Sequence, residues 1–111
     1  MDPDIFGQRQ ATARRTINAL YGTPDGELGP TLFVSHHLDE IEPGYWPTTF
    51  GIAQPTPEQI LNALVLVSSW STDRDEMFDT FDFALPGNAS NYIISVRFGS
   101  DGQVADVSME S

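Results

Sequence analysis

The sequence predicts one α+β domain over residues 1–111, in which an antiparallel sheet of four to five strands carries two helices packed on one face. Three observations predict this fold class. Short runs of strand-forming residues follow one another through the last third of the chain, separated by Gly-rich or acidic turns, as in a β-meander. Two segments with helix signals precede that meander. Hydrophobic residues make up 40% of the 111 positions, which suffices for one buried core.

The first predicted helix covers residues 3–20. Pro3 suits the first helical turn, and Ala13 and Ile17 belong to an apolar face whose opposite side is polar. Gly22 follows the last apolar position, and glycine is the usual residue just past a helix C-terminus. The helix is therefore expected to lie on the surface of the core.

Residues 31–37 are predicted to form a strand. The run begins with β-branched and aromatic residues, and Leu32, Val34 and Leu38 alternate in phase, with His36 interrupting that face. The alternation indicates a strand with one apolar side.

Residues 42–55 contain three prolines and two glycines, which exclude long regular structure. Tyr45 and Trp46 are nevertheless too apolar for a solvated loop. This segment is therefore expected to form a short turn or 3₁₀ piece held over the core by its aromatics. A binding loop is the less favoured interpretation, since long ordered loops also carry binding sites.

The second predicted helix begins at a capping box, with Thr56 as N-cap, Pro57 as the first helical residue and Gln59 as the reciprocal partner. The apolar run at residues 65–67 then predicts a central strand covered on one or both faces. A single helix continuing to residue 70 is the alternative, because periodicity does not separate the two structures in so short a run.

The remaining strands alternate clearly. Phe81 and Phe83 fall on one face of their strand and Asp82 on the other, which is a half-buried pattern. Residues 92–98 alternate in the same way, and a Gly-Ser-Asp-Gly turn joins them to residues 104–109. This last pair is predicted to be a hairpin.

The net charge restricts the classes of ligand. The chain has 16 acidic and 5 basic residues and a formal net charge of −11. Repulsion from phosphate opposes nucleic acid and anionic membrane surfaces as partners. The acidic excess serves either solubility alone or the electrostatic steering of a basic partner.

Cysteine is absent, so disulfides and thiolate metal sites are excluded. No run approaches the roughly 18 apolar residues of a membrane span, and the first residues lack the apolar stretch of a secretion signal. A cytoplasmic protein without a cofactor is the expectation.

His36 and His37, beside Asp39 and Glu40, suggest a metal or acid–base cluster. On the predicted strand, however, neighbouring side chains point to opposite faces and cannot share an ion. One buried, hydrogen-bonded histidine and one exposed histidine are therefore favoured, and a small metal-dependent enzyme is the alternative. Zinc-protease, calcium-loop, nucleophilic-serine and phosphate-loop motifs are all incomplete, so no catalytic residue or metal ligand is assigned.

Acidic residues are densest at one edge of the meander, where a solvated face is the simplest interpretation and partner binding the sharper one. The candidate partner-binding residues there are Asp73, Asp75, Glu76, Asp79 and Asp82. A second candidate patch consists of Asp39, Glu40, Tyr45 and Trp46. The acids would steer and orient a partner, and the aromatics would supply a desolvated anchor.

The sequence also resembles a family of small bacterial domains of unknown function. The resemblance lies in the blocks HHLDEIEPGYW, TPEQILNALVLVSSW, FDFALPG, NYIISVRFGSDG and SMES, which lie within residues 36–111. Some members are described as immunity proteins of contact-dependent growth inhibition or polymorphic toxin systems. The resemblance implies a partner, a cognate toxin, and no catalytic residues.

The functional hypothesis is an immunity protein, not an enzyme, that binds and neutralises a cognate toxin domain through an acidic surface. The toxin is expected to be basic, because many nuclease toxins are basic and an acidic inhibitor mimics the charge of their substrate. A small acidic protein-interaction domain with a housekeeping role is the alternative.

Overall fold

A computed structural model describes residues 5–70, 79–87, 89–99 and 102–110, with side chains from residue 7 onward except that of residue 70. The helical elements are α1 (Ile5–Leu20), a 3₁₀ turn (Pro24–Gly26), α2 (Pro30–Glu40), α3 (Tyr45–Phe50) and α4 (Pro57–Asn62). The strands are β1 (Val65–Trp70), β2 (Thr80–Ala84), β3 (Ile93–Phe98) and β4 (Val104–Glu110). The described part of the chain thus has four α-helices, two more than predicted.

The strands form one antiparallel sheet in the order β1-β2-β3-β4, which confirms the predicted α+β class and the meander. Phe81 pairs with Val96, and Ile94 lies between Phe83 and Met109, so one face of the sheet is a continuous apolar surface. Both α1 and α2 contact β4, and α2 also contacts β3. The core is made of fully or almost fully buried side chains: Ala13, Ile17, Phe33, Val34, Trp46, Ile60, Leu61, Leu64, Phe81, Phe83, Leu85, Ile94, Val96 and Phe98.

The strand predicted at residues 31–37 is wrong, because this segment belongs to α2. Its buried residues are Pro30, Phe33, Val34 and His37, whose spacing of three, four and seven positions is that of one helical face. Pro30 occupies the first turn, where its missing N–H costs nothing. The alternating pattern selected Leu38, which is 44% exposed, and therefore followed the wrong period.

The prediction of a central strand at residues 65–67 is also wrong. β1 lies at one edge of the sheet, and Val67 is 50% exposed at an irregularity of pairing between Leu66 and Ser68. The strand itself excludes the alternative of a helix continuing to residue 70.

The half-buried pattern predicted for β2 is wrong as well. Thr80 and Asp82 are buried on one face of the strand, as Phe81 and Phe83 are on the other. Asp82 lies between Ser68 of β1 and Ser95 of β3, and the Ser68 hydroxyl donates to it.

The helix α3 is a six-residue element with Trp46 buried, close to the short aromatic piece predicted for this segment. The capping box of α4 is confirmed by both of its hydrogen bonds. The Gln59 N–H donates to Thr56 Oγ1 at 3.2 Å, and the Thr56 N–H donates to Gln59 Oε1 at 2.8 Å. The predicted hairpin of β3 and β4 is confirmed, with Gly102 at a φ of 79° in its turn.

We expect Thr56→Ala to lower the free energy of unfolding by about 1 kcal/mol, because it leaves one N–H of the first turn without its acceptor. Denaturant-induced unfolding followed by circular dichroism measures the change. Thr56→Ser keeps the hydroxyl and should stay within about 0.5 kcal/mol of the wild type. A Thr56→Ala protein as stable as Thr56→Ser would show that the capping box does not stabilise α4.

Candidate functional site

The segment from the end of α2 to the start of α3 separates two concave surfaces. The histidine cleft, about 330 Å³ in volume, is lined by His36, His37, Glu40, Ile41, Glu42, Tyr45, Ala89 and Ser90. The tryptophan groove, about 650 Å³ in volume, is lined by Leu38, Asp39, Glu40, Ile41, Glu42, Pro43, Trp46, Ala53, Gln54 and Pro55. Residues 40–42 line both surfaces and form the ridge between them.

Backbone hydrogen bonds shape this ridge. Ile41 leaves the helix with an extended backbone, while its N–H donates to the His37 carbonyl at 3.1 Å. The Tyr45 N–H then donates to the Glu42 carbonyl at 3.0 Å, which turns the chain into α3. Because Ile41 packs against the core, the side chains of Glu40 and Glu42 on either side of it are left exposed.

Three exposed carboxylates lie on or directly beside this ridge: those of Glu40 and Glu42 belong to it, and that of Asp39 immediately precedes it. None of them makes a hydrogen bond or an ion pair with another residue that the structure describes. The ridge therefore presents uncompensated negative charge at the rims of both concave surfaces.

His37 is the buried centre of the histidine cleft, with a side chain only 1% exposed. Its Nδ1 lies 2.7 Å from the Phe33 carbonyl oxygen, and its Nε2 lies 2.6 Å from Ser90 Oγ. A carbonyl oxygen only accepts hydrogen bonds, so Nδ1 carries the proton and Nε2 accepts from the Ser90 hydroxyl. Burial, aided by the nearby charge of His36, lowers the pKa of His37, although the bond to Phe33 opposes that shift.

The prediction of one buried, hydrogen-bonded histidine is confirmed for His37, although the reason given for it, a strand, is wrong. His36 is half-buried and not fully exposed. Its ring lies 4.5 Å from the ring of Tyr92 and 5.4 Å from that of His37, measured between centroids.

The two aromatic candidates, Tyr45 and Trp46, differ in how far their side chains are exposed to solvent. Tyr45 is half-buried and donates its hydroxyl to the Pro86 carbonyl at 2.7 Å, and burial raises its pKa. Trp46 is 4% exposed and packs against Tyr45 and Phe50, with ring centroids 5.1 and 5.5 Å away. Trp46 therefore forms part of the groove floor and is not an exposed anchor.

The acidic run at the meander is placed only in part. Asp73, Asp75 and Glu76 lie outside the described residues. Asp79 is half-buried, and its Oδ1 accepts from the Thr80 hydroxyl at 3.0 Å. Asp82 is 8% exposed, with Oδ2 accepting from the Ser68 hydroxyl at 2.8 Å, so its predicted outward orientation is wrong.

The structure brings the second predicted patch together. Glu40 lines both surfaces, Tyr45 lines the histidine cleft, and Asp39 and Trp46 line the tryptophan groove. Glu42 was not predicted, although it lies only two positions from Glu40. Ser90 was not predicted either, and no local pattern identifies it, because its contact with His37 spans 53 positions.

Comparisons with protein-family models, with curated proteins and with solved structures find no significant match to this chain. Across the described residues, no group of three or more His, Asp or Glu side chains is arranged to hold a metal ion. Among the helices described, none combines the length and apolar character needed to cross a membrane. The resemblance to immunity proteins stays a prediction.

We expect the wild type to lose more stability in acid than His37→Gln does. The unfolded ring titrates near its ordinary pKa of 6.5, whereas the folded ring, with a lowered pKa, resists protonation. Between pH 6.5 and the lowered pKa of the folded ring, the unfolded chain binds more protons than the folded chain, so the free energy of unfolding falls as the pH falls across this interval. Below the folded pKa both states are protonated, and the loss is complete.

Urea unfolding of both proteins between about pH 7.5 and pH 5 measures this difference. The carboxylates titrate in both proteins, so their contribution cancels in the comparison. Equal losses of stability in the two proteins would show that His37 is not a buried neutral base.

Proposed function

We propose that this domain is an immunity protein that binds a basic toxin domain through the acidic ridge between its two concave surfaces. The observation that carries the proposal is the set of exposed carboxylates of Asp39, Glu40 and Glu42, which have no cationic partner among the described residues. The family resemblance and the net charge of −11 support the same function.

The electrostatics favour a basic partner. Three like charges within four positions repel one another, and a partner that supplies Lys or Arg side chains removes this repulsion. Exposed ion pairs contribute only about 0.2–1 kcal/mol each. Their larger effect is on association, because a strongly charged surface steers an oppositely charged partner towards it.

The tryptophan groove would supply the apolar part of the contact. Leu38 is 44% exposed beside Asp39, and Trp46 and Pro55 form the buried floor. Arg and Lys side chains cover apolar surface with their stems while their charged ends reach carboxylates. A groove with an apolar floor and an acidic rim therefore fits basic side chains of a toxin loop.

A second region that would steer the toxin remains part of the proposal. It consists of the acids Asp73, Asp75, Glu76 and Asp79.

The cognate toxin is sought in the reading frame next to this gene, and co-expression with that toxin domain tests the proposal. The domain should relieve growth arrest in the cytoplasm and co-purify with the toxin at low salt. Unrelieved arrest together with the absence of a complex would overturn the immunity function. A complex without relief of arrest would support the alternative, an acidic protein-interaction domain.

We expect the triple variant Asp39→Asn, Glu40→Gln, Glu42→Gln to bind that toxin about tenfold more weakly, with most of the loss in the association rate. Surface plasmon resonance at two salt concentrations measures both rates. The salt dependence of association should also decrease, because fewer charges steer the encounter.

The matched control is the triple variant Asp25→Asn, Glu27→Gln, Glu58→Gln. It also removes three negative charges, but from exposed positions that line neither concave surface. The control should bind more tightly than the ridge variant. Equal losses in the two variants would show that total charge, and not the ridge, determines affinity.

A further inference from the structure

We propose that Ser90 is a nucleophile activated by His37, and that it accepts an acyl group from a small ester or thioester that carries a positive charge. This inference goes beyond toxin binding and does not depend on it. It rests on the directed hydrogen bonds through His37 and on the cleft that both side chains line.

The hydrogen bonds have the polarity that a general base requires. The Phe33 carbonyl fixes the proton on Nδ1, which leaves the lone pair of Nε2 facing the Ser90 hydroxyl at 2.6 Å. A nucleophile within hydrogen-bonding distance of a base, with the base oriented by a third group, is the arrangement of an activated serine. Here a main-chain carbonyl takes the orienting position that a carboxylate occupies in the common triad.

The surroundings of the two side chains suit His37 as the base and Ser90 as the nucleophile. Because burial lowers the pKa of His37, its ring is neutral near pH 7 and can accept the serine proton. The Tyr92 N–H donates to Ser90 Oγ at 3.2 Å, which fixes the position of the hydroxyl oxygen. Ser90 is only partly buried and lines the open cleft, so a small substrate reaches it.

The acyl transfer balances without another reactant. Ser90 Oγ attacks the carbonyl carbon of the substrate while His37 Nε2 takes the hydroxyl proton. The tetrahedral intermediate then expels the alcohol or thiol, which receives that proton from His37. The products are acyl-Ser90 and the free alcohol or thiol, and water attacking the acyl group by the same route restores Ser90.

The cleft restricts the charge of the substrate. Glu40 and Glu42 line it together with the half-buried ring of Tyr45, and no Arg or Lys of the described chain does. Carboxylates repel anionic acyl donors, whereas a quaternary ammonium group is attracted by carboxylates and aromatic rings together. Small cationic esters or thioesters are therefore the substrate class.

A fluorophosphonate bearing a trimethylammonium group tests the proposal on the purified protein alone. Ser90 Oγ forms the bond to phosphorus, fluoride leaves, and His37 takes the proton. Intact-mass and peptide analysis should locate a single label on Ser90. Ser90→Ala should abolish this label, while Ser35→Ala, which removes an exposed serine of α2, should keep it. Labelling that is absent, or no faster at Ser90 than at Ser35, would overturn the proposal.

Two further measurements separate activation from simple access. His37→Gln should slow labelling about 100-fold or more, the contribution of a positioned base. If that variant does not fold, the wild-type rate against pH should show an inflection below 6.5, the ordinary pKa of the ring. A rate that rises with hydroxide concentration and shows no inflection would rule out His37 as the base.

The cationic probe should react faster with the wild type than a neutral probe does. The double variant Glu40→Gln, Glu42→Gln should remove that preference. Equal rates of the wild type with both probes would overturn the substrate class.

Discussion

The burial of one face of α2 is the constraint on which the rest of this structure depends. Phe33 and Val34 fill the core, and each buried apolar side chain of this size contributes about 1.5–3 kcal/mol. His37 lies on the same face, where an unpaired ring would be costly, and both of its nitrogens have partners. Rotating the helix by one position would remove the apolar contacts and the hydrogen bond to Ser90 together, so its orientation is fixed.

The orientation of α2 determines which residues at its C-terminal end are exposed. With His37 directed into the molecule, Asp39 and Glu40 lie on the exposed side, and Ile41 returns to the core. The ridge and the two concave surfaces beside it follow from this alternation. The same buried ring also joins α2 to Ser90, a residue between β2 and β3, so the helix layer and the meander meet at the histidine cleft.

Local signals in the sequence predicted the parts of the fold that local interactions determine. The capping box at Thr56 and Gln59 and the hairpin of β3 and β4 depend on neighbouring residues, and both were predicted. The helix α2 was not, because its β-branched and aromatic residues favour a strand locally while tertiary burial favours a helix. The burial of Asp82 likewise depends on which strands flank β2, and a single strand does not contain that information.

In the candidate site, too, the features set by neighbouring residues were predicted and those set by long-range contacts were not. The patch of Asp39, Glu40, Tyr45 and Trp46 was predicted. Charged residues next to aromatic residues are visible in the sequence, although Glu42 was not predicted. The pairing of His37 with Ser90 was not found, since it depends on two segments 53 positions apart meeting in the fold. Only a correct orientation of α2 places the histidine there, and the sequence pattern had assigned that segment to a strand.

The two proposed activities would be coupled through residues 40–42, which line both surfaces. Glu40 and Glu42 line the histidine cleft, so their carboxylates would attract a cationic ligand to it. A basic partner on the ridge would neutralise those carboxylates and cover the mouth of the cleft. Partner binding and a cationic ligand at Ser90 should therefore oppose each other, and because coupling between two binding equilibria is reciprocal, each would weaken the other by the same factor.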